Sequence, residues 1–343
     1  MLRSGFMKKY LLSRAGKFYK ANMHAHTSLT TGSLAPREVK ELYKSMGYSI
    51  VAFTNHEVIV PHTELQDADF LPITAFEMSI AEQPWSPFAK CYHFNIYMPK
   101  AELDHSSVFC KACVKSAALH LVTEEMEAHG MEKRTYSTAF ANSVIKKANS
   151  EGCLVSYNHP VWSNQNYSDY SELRGLWAAE WYNNQAAILG NTDTLTPIDD
   201  LLRQGEAVYP IATDDTHSML SAGGGWICVK AKALDYDTVF DALRRGDFYS
   251  STGPEIKSLY AEDGAVYIKT SGASRISLVS SSRIGKTLKA DKKLLYGARF
   301  DLSKIISSAD ITREDKGVWF RIEVADKHGN RAITRAYYPS ECK

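Results

Sequence analysis

The chain has 343 residues, 40 basic against 39 acidic side chains and 44% apolar residues. It is long enough for a large core and has no net charge to draw it to nucleic acid or anionic lipid. No uninterrupted apolar run approaches the roughly 18 residues of a membrane helix, and the basic start MLRSGFMKKYLLSRAGKFYKA is broken by polar residues before a signal-peptide core could form. A cytoplasmic protein without nucleic-acid or membrane partners is expected. Six cysteines, Cys91, Cys110, Cys113, Cys153, Cys228 and Cys342, are too sparse and irregular for a disulfide scaffold. Cys110 and Cys113 lie in a Lys/Ala-rich, helical-looking segment without a second such pair, and their spacing reads as coincidence.

In chain order, the first informative stretch is His24-Ala25-His26. On a strand, residues i and i+2 share a face, so both imidazoles aim at one point, a metal-ligand arrangement. A polar loop follows. Pro36 then opens a helix with Val39, Leu42, Tyr43 and Met46 at helical spacing, and Gly47 stops it. The apolar run 48–54 predicts a buried strand delivering Asn55-His56-Glu57. The run 70–76 delivers Glu77, and the alternating run 91–98 carries His93. Residues 101–150 are mostly helical in pattern. The strand 153–157 leads to Asn158-His159-Pro160, the apolar stretch 176–183 contains Glu180, and the run 207–212 ends at Asp214-Asp215-Thr216-His217. Alternating β and α segments with one metal-type residue at the end of each successive strand predict a (β/α) barrel with its site at the C-terminal rim.

After Gly253-Pro254 the texture changes to short alternating strands with hairpin turns, as at Glu262-Asp263-Gly264 and at Asp326 to Asn330. This predicts a small all-β sandwich over 254–343, with 17 basic and 11 acidic side chains, behind a barrel domain over 1–253.

His24, His26, His56, His93, His159 and His217 with Glu77 and Asp215 make a mixed N/O donor set suited to Zn, Mn or Fe, with too much imidazole for a Ca or Mg cage. Two cations roughly 3.5–4 Å apart, bridged by a carboxylate such as Glu77, would lower the pKa of a shared water and hold the attacking and leaving oxygens of an ester. The chain has no G-x-S-x-G elbow, phosphate-binding loop or dinucleotide fingerprint. Water is the expected nucleophile, and Gly223-Gly224-Gly225 reads as a turn.

The order His24-x-His26, Thr54-Asn55-His56, Glu77, His93, Asn158-His159-Pro160, Glu180-x-x-Asn183 and Asp215-x-His217 resembles the PHP (polymerase and histidinol phosphatase) superfamily, in a branch with a C-terminal β-sandwich. The resemblance implies an α/β fold with a distorted seven-stranded barrel, up to three metals and hydrolysis of phosphate esters. It places His24, His26, Glu77 and Asp215 on a first metal, Glu77, His93 and His159 on a second, and His56 and His217 on a third, with Glu77, His56, Asp215 and His217 expected to carry catalysis. This chain departs from the family pattern in having Thr30-Thr31-Gly32 where many members carry an acid, Asn55 in place of Asp, and Val161-Trp162 where phosphatases often carry Arg. The expected partner is a small phosphorylated ester. Carboxylic or carbamate esters are the alternative substrates, and a non-catalytic metal-binding protein is the alternative from another class. His62 reads as a surface residue and Arg37 as solvated. No role falls to His105, His120, His129 or His328.

Overall fold

The computed structural model describes residues 8–83, 86–191, 194–312 and 317–342. The first seven residues of the basic start lie outside that description. After a short strand β1 (Lys9–Tyr10), seven strands follow: β2 (Lys17–Ala25), β3 (Ile50–Phe53), β4 (Leu71–Ala81), β5 (Cys91–Tyr97), β6 (Leu154–Tyr157), β7 (Ala178–Asn183) and β8 (Tyr209–Thr213). These seven neighbour one another in sequence order. All the pairings are parallel except those of β5, which runs antiparallel to both β4 and β6. Their near-continuous apolar runs, such as the fully buried Ile50–Phe53, are what a sheet covered on both faces requires.

The ladder is open between its outer members. Among the described residues, the pairing of the β8 end with the β2 end is the isolated Ala25–Thr216 bridge. There His26 N–H donates to Thr216 C=O at 2.9 Å, and Thr216 N–H donates to His24 C=O at 3.3 Å. A buried polar network reinforces this seam. Asp214 Oδ1 accepts the Gly224 and Gly225 N–H groups, both at 2.8 Å, while Oδ2 accepts Gly223 N–H at 2.7 Å and Tyr43 O–H at 2.8 Å. Asn22 Oδ1 accepts Asp214 N–H at 3.0 Å. The glycine run therefore wraps a carboxylate. A Cβ on Gly225 would stand 2.7 Å from Thr213 C=O, so the approach needs glycine there.

Helices cover the sheet as the sequence pattern predicts. The helix Pro36–Ser45 has proline in its first turn and buries Val39 and Tyr43 one turn apart. The helix Thr138–Ser150 is capped by the Ser137 hydroxyl and buries Ala141, Val144, Ile145 and Ala148 against β-strand residues including Phe94, Ile96 and Val155. Within 101–137, where the pattern reads as mostly helical, the structure has two 3₁₀ segments and one short α-helix, Glu124–His129.

The remaining strands are β9 (Trp226–Ala231), β10 (Phe248–Ser251), β11 (Ile256–Glu262), β12 (Ala265–Ala273), β13 (Arg275–Ser280), β14 (Lys286–Lys289), β15 (Leu295–Asp301), β16 (Phe320–Ala325) and β17 (Arg331–Thr334). Strand β9 pairs antiparallel with β2, and the large sheet then continues without a break through β10, β17, β16, β13 and β14, thirteen strands in all. A second sheet of four strands has the order β1-β11-β12-β15. The two sheets share a core in which Leu259, Ile268 and Phe300 of the small sheet join Ile276, Ile322 and Val324 of the large one, together with Leu11 and Leu12 from the N-terminal segment. No described helix is long and apolar enough to cross a membrane. All six cysteines are free.

Candidate metal centre

The structure brings all eight candidate residues together, and backbone pairing explains how. Across the parallel Ala25–Thr216 bridge, His24 is level with Asp215 and His26 with His217. A second bridge, His56–Glu77, extends the β3–β4 ladder past the end of β3, with Glu57 N–H donating to Glu77 C=O at 2.8 Å. Asn158 N–H donates to His93 C=O at 3.0 Å and so sets His159 beside His93. His93 lies near the start of its strand. Because β5 runs in reverse, that start falls on the rim where the parallel strands end.

Glu77 is the hub. Its Oε1 lies 3.4 Å from His24 Nε2, 3.1 Å from His93 Nδ1 and 3.2 Å from His159 Nε2. Its Oε2 lies 3.3 Å from His26 Nε2 and 3.1 Å from His56 Nδ1. Asp215 Oδ1 lies 3.2 Å from His24 Nε2 and 3.1 Å from His26 Nε2, with His217 Nδ1 at 3.5 Å. Four groupings of donor atoms within 4.8 Å of one another result: three among the eight residues, namely His24, His26 and Glu77; Glu77, His93 and His159; and His26, His56 and His217; and a fourth that joins His24 and His159 to Glu180. His26 thus stands in two of them, joining His56 and His217 as well as the first set.

This donor set fits cations. The Nε2 atoms of His24 and His26 are 3.2 Å apart, and Asp215 Oδ1, buried beside both, has no hydrogen-bond donor. Converging lone pairs at these distances repel one another unless a proton or a metal cation lies among them. The proton equilibria reflect the same need. Burial opposes a charge on His24, yet the Asp215, Glu77 and Glu180 carboxylates outweigh it and raise its pKa well above the usual value. Burial would raise Glu77, but His24, His93 and His56 hold it well below the carboxylate range. His56 is pushed well down by burial and by the neighbouring His26, and His217 is lowered for the same two reasons.

A surrounding set of side chains orients these groups. Glu180 Oε1 takes the Nδ1 side of His24 at 2.8 Å and the Thr213 hydroxyl at 2.6 Å, while Oε2 accepts His159 N–H and Asn183 Nδ2–H, both at 2.9 Å. Asn158 Nδ2–H donates to Glu77 Oε1 at 3.0 Å. A carboxylate behind a ligating imidazole fixes its tautomer and basicity, and loss of such a group typically costs 10–100-fold in metal affinity. Glu180→Gln is therefore expected to weaken zinc binding, read by competition with a chelating dye, by about 10–100-fold, and to lower stability by about 1–3 kcal/mol, because its amide N–H₂ meets donors whichever way it turns. Unchanged affinity would reduce Glu180 to a packing role.

His159 and Asp215 have φ of 25° and 51°, and Glu57, next to His56, has 64°. Non-glycine residues avoid this region, and backbone outliers gathered around one cluster suggest a geometry held for function. Glu57 also exposes a contact that sequence reading missed. Its Oε2 pairs with Arg134 Nη1 at 2.5 Å, its Oε1 accepts Ser79 N–H at 2.9 Å, and Arg134 Nη1–H also donates to Ser79 C=O at 2.9 Å. No sequence signal links positions 57 and 134; only the fold does.

The other candidates fall outside the cluster. His62 is buried, against the expectation of a surface residue, with its ring 4.7 Å from Phe53 and Nδ1 3.3 Å from Glu64. It packs in the core because Phe53 supplies an apolar partner. His105, half-buried, and His129, exposed, stack at 4.3 Å and group with Glu125, apart from the eight residues. Asn55 Oδ1 accepts from Thr27 N–H and Oγ1–H, both at 2.9 Å, and from Thr30 Oγ1–H at 3.2 Å, so it braces the loop after His26.

No protein-family model matches the chain, and no curated protein matches it significantly. Several solved structures are similar. One is a two-domain protein from Bacteroides vulgatus containing a predicted PHP-like metal-dependent phosphoesterase, at 13% identity and a TM-score of 0.42, covering 98% of each chain. Another is a candidate metal-dependent phosphoesterase from Bifidobacterium adolescentis, at 14% identity and a TM-score of 0.37, covering 68% of this chain and 98% of that one. A third is a lesion-specific endonuclease from Pyrococcus furiosus, at 12% identity and a TM-score of 0.39, covering 66% of this chain and 56% of that one. In the order and grouping of its donor residues, this chain resembles the PHP superfamily.

Proposed function

We propose that the chain is a PHP-type metal-dependent hydrolase whose site lies at the rim of a distorted seven-stranded barrel, backed by a C-terminal β-sandwich from residue 254, and that it cleaves phosphate esters in the cytoplasm. The observation that carries this reading is Glu77, a buried carboxylate within 3.4 Å of five imidazoles. Its placement suits a ligand shared between two or three Zn, Mn or Fe ions. When bound, such ions supply a water nucleophile active at neutral pH and neutralise the charge developing on the ester. The first would be held by His24, His26, Glu77 and Asp215, the second by Glu77, His93 and His159, and the third by His56 and His217 with His26 alongside.

The protein's own contribution is placement. Glu180 and Asn158 fix the rings and the carboxylate, so little reorganisation is needed when the substrate arrives. His56 and His217 are the more open imidazoles, with side-chain exposures of 21% and 29%, and we assign them to the substrate-facing side, where they would orient an ester oxygen.

Among the described residues, no hydrogen bond or ion pair joins a Lys or Arg to the eight donor residues. That observation favours a second reading, a carboxylic or carbamate ester substrate handled by the same centre. Paired chromogenic esters separate the two. The phosphoesterase reading predicts turnover of p-nitrophenyl phosphate exceeding that of p-nitrophenyl acetate in zinc- or manganese-loaded protein. The reverse order supports the second reading, and turnover of neither ester contradicts both.

A further inference from the structure

We propose that the exposed face of Trp162 is a subsite for a planar aromatic substituent of the substrate; this rests on the hydrolase reading above and names its substrate class. Trp162 follows His159 by three residues. Its ring centroid lies 5.0 Å from that of His159, at 79°, and 5.8 Å from that of His93, two of the three imidazoles that reach Glu77 Oε1. A group held at that end of the cluster comes within reach of the indole. Trp162 is nevertheless 44% exposed, and its neighbour Val161 is 43% exposed.

The other tryptophans near the barrel strands serve differently. Trp177 and Trp181 are buried, and each indole N–H is spent, on Leu243 C=O and on Ser250 Oγ respectively, both at 2.8 Å. They are core. Trp162 instead stands at the edge of a narrow cleft of about 20 Å³, which Trp181 also borders and which has room for a water and not for a ring, so a stacking partner would lie on the solvent-exposed part of the Trp162 indole. A large flat apolar surface left open beside a charged cluster gains most from a flat apolar partner, by area and by ring stacking. The lack of Lys and Arg contacts around the donor set points the same way, since substrate affinity beyond the cations then has to come from such contacts.

The test uses phenylphosphonate and methylphosphonate, which are not hydrolysed, titrated calorimetrically into zinc-loaded protein. Wild type is expected to bind the phenyl compound roughly tenfold more tightly, about 1.4 kcal/mol. Trp162→Ala is expected to erase that preference with methylphosphonate affinity unchanged, and Trp162→Phe to keep most of it. Equal affinity of wild type for the two probes, binding of neither, or a preference that survives Trp162→Ala overturns the proposal. Because neither probe is turned over, a failure of ester hydrolysis counts against the hydrolase reading and leaves this result standing on its own.

Discussion

Replacing Glu77 by alanine is expected to abolish activity and strip the centre of cations at once. Five imidazoles lose their shared carboxylate, and two of the four donor groupings lose a member. Transition-state stabilisation by bound cations is worth several kcal/mol; at 1.36 kcal/mol per decade this corresponds to a loss of at least about a thousandfold in kcat/KM. The check is kcat/KM on the better chromogenic ester with metal content measured on the same sample. A variant retaining both would show that Glu77 is a bystander.

The second large effect falls on stability. Arg134 is buried with Glu57, their side chains 4% and 8% exposed, and Arg134→Met leaves a buried carboxylate without its partner. Breaking such a pair from one side typically costs about 3–5 kcal/mol, which for a protein of this size is a drop in Tm of roughly 4–7 °C. The pH dependence follows from the shift. Burial already raises the Glu57 pKa, with Arg134 pulling it back; without the arginine the folded-state pKa rises further above the unfolded value. The deficit relative to wild type is therefore smallest below about pH 4, where the carboxyl is protonated in both states, and grows as pH rises through the folded pKa. Thermal melts of both proteins from pH 4 to 8 measure it. A parallel offset at every pH would show that lost packing, not the orphaned charge, is responsible. Since Glu57 adjoins His56 in a left-handed backbone conformation, Arg134 also braces the peptide that carries a candidate ligand.

Much of this was legible in the chain because metal-ligand residues at successive strand ends are a local signal repeated many times over. His24-x-His26 declares itself by strand alternation, and Asn55-His56, Asn158-His159 and Asp215-x-His217 each follow an apolar β run. What escaped was whatever depends on partners far apart in sequence. The reversed direction of β5 cannot be read from 91–97, yet it decides that His93 reaches the rim from the beginning of its strand. The glycines at 223–225 looked like a turn because their partner, Asp214, lies on the other side of a loop. Leu11 and Leu12 gave no sign that the N-terminal segment packs into the core of the second sheet. The tryptophans could not be sorted into core and rim, because residue type says nothing of exposure; the structure buries Trp177 and Trp181 and leaves Trp162 open.

The central claim is that the eight residues form one polynuclear cation site, and the most direct measurement is metal content per chain by plasma mass spectrometry, on protein purified without added metal and again after equilibration with zinc or manganese and gel filtration. The account predicts two or more Zn, Mn or Fe ions per chain in at least one of these samples. A protein that carries none as purified and takes up neither zinc nor manganese would contradict it.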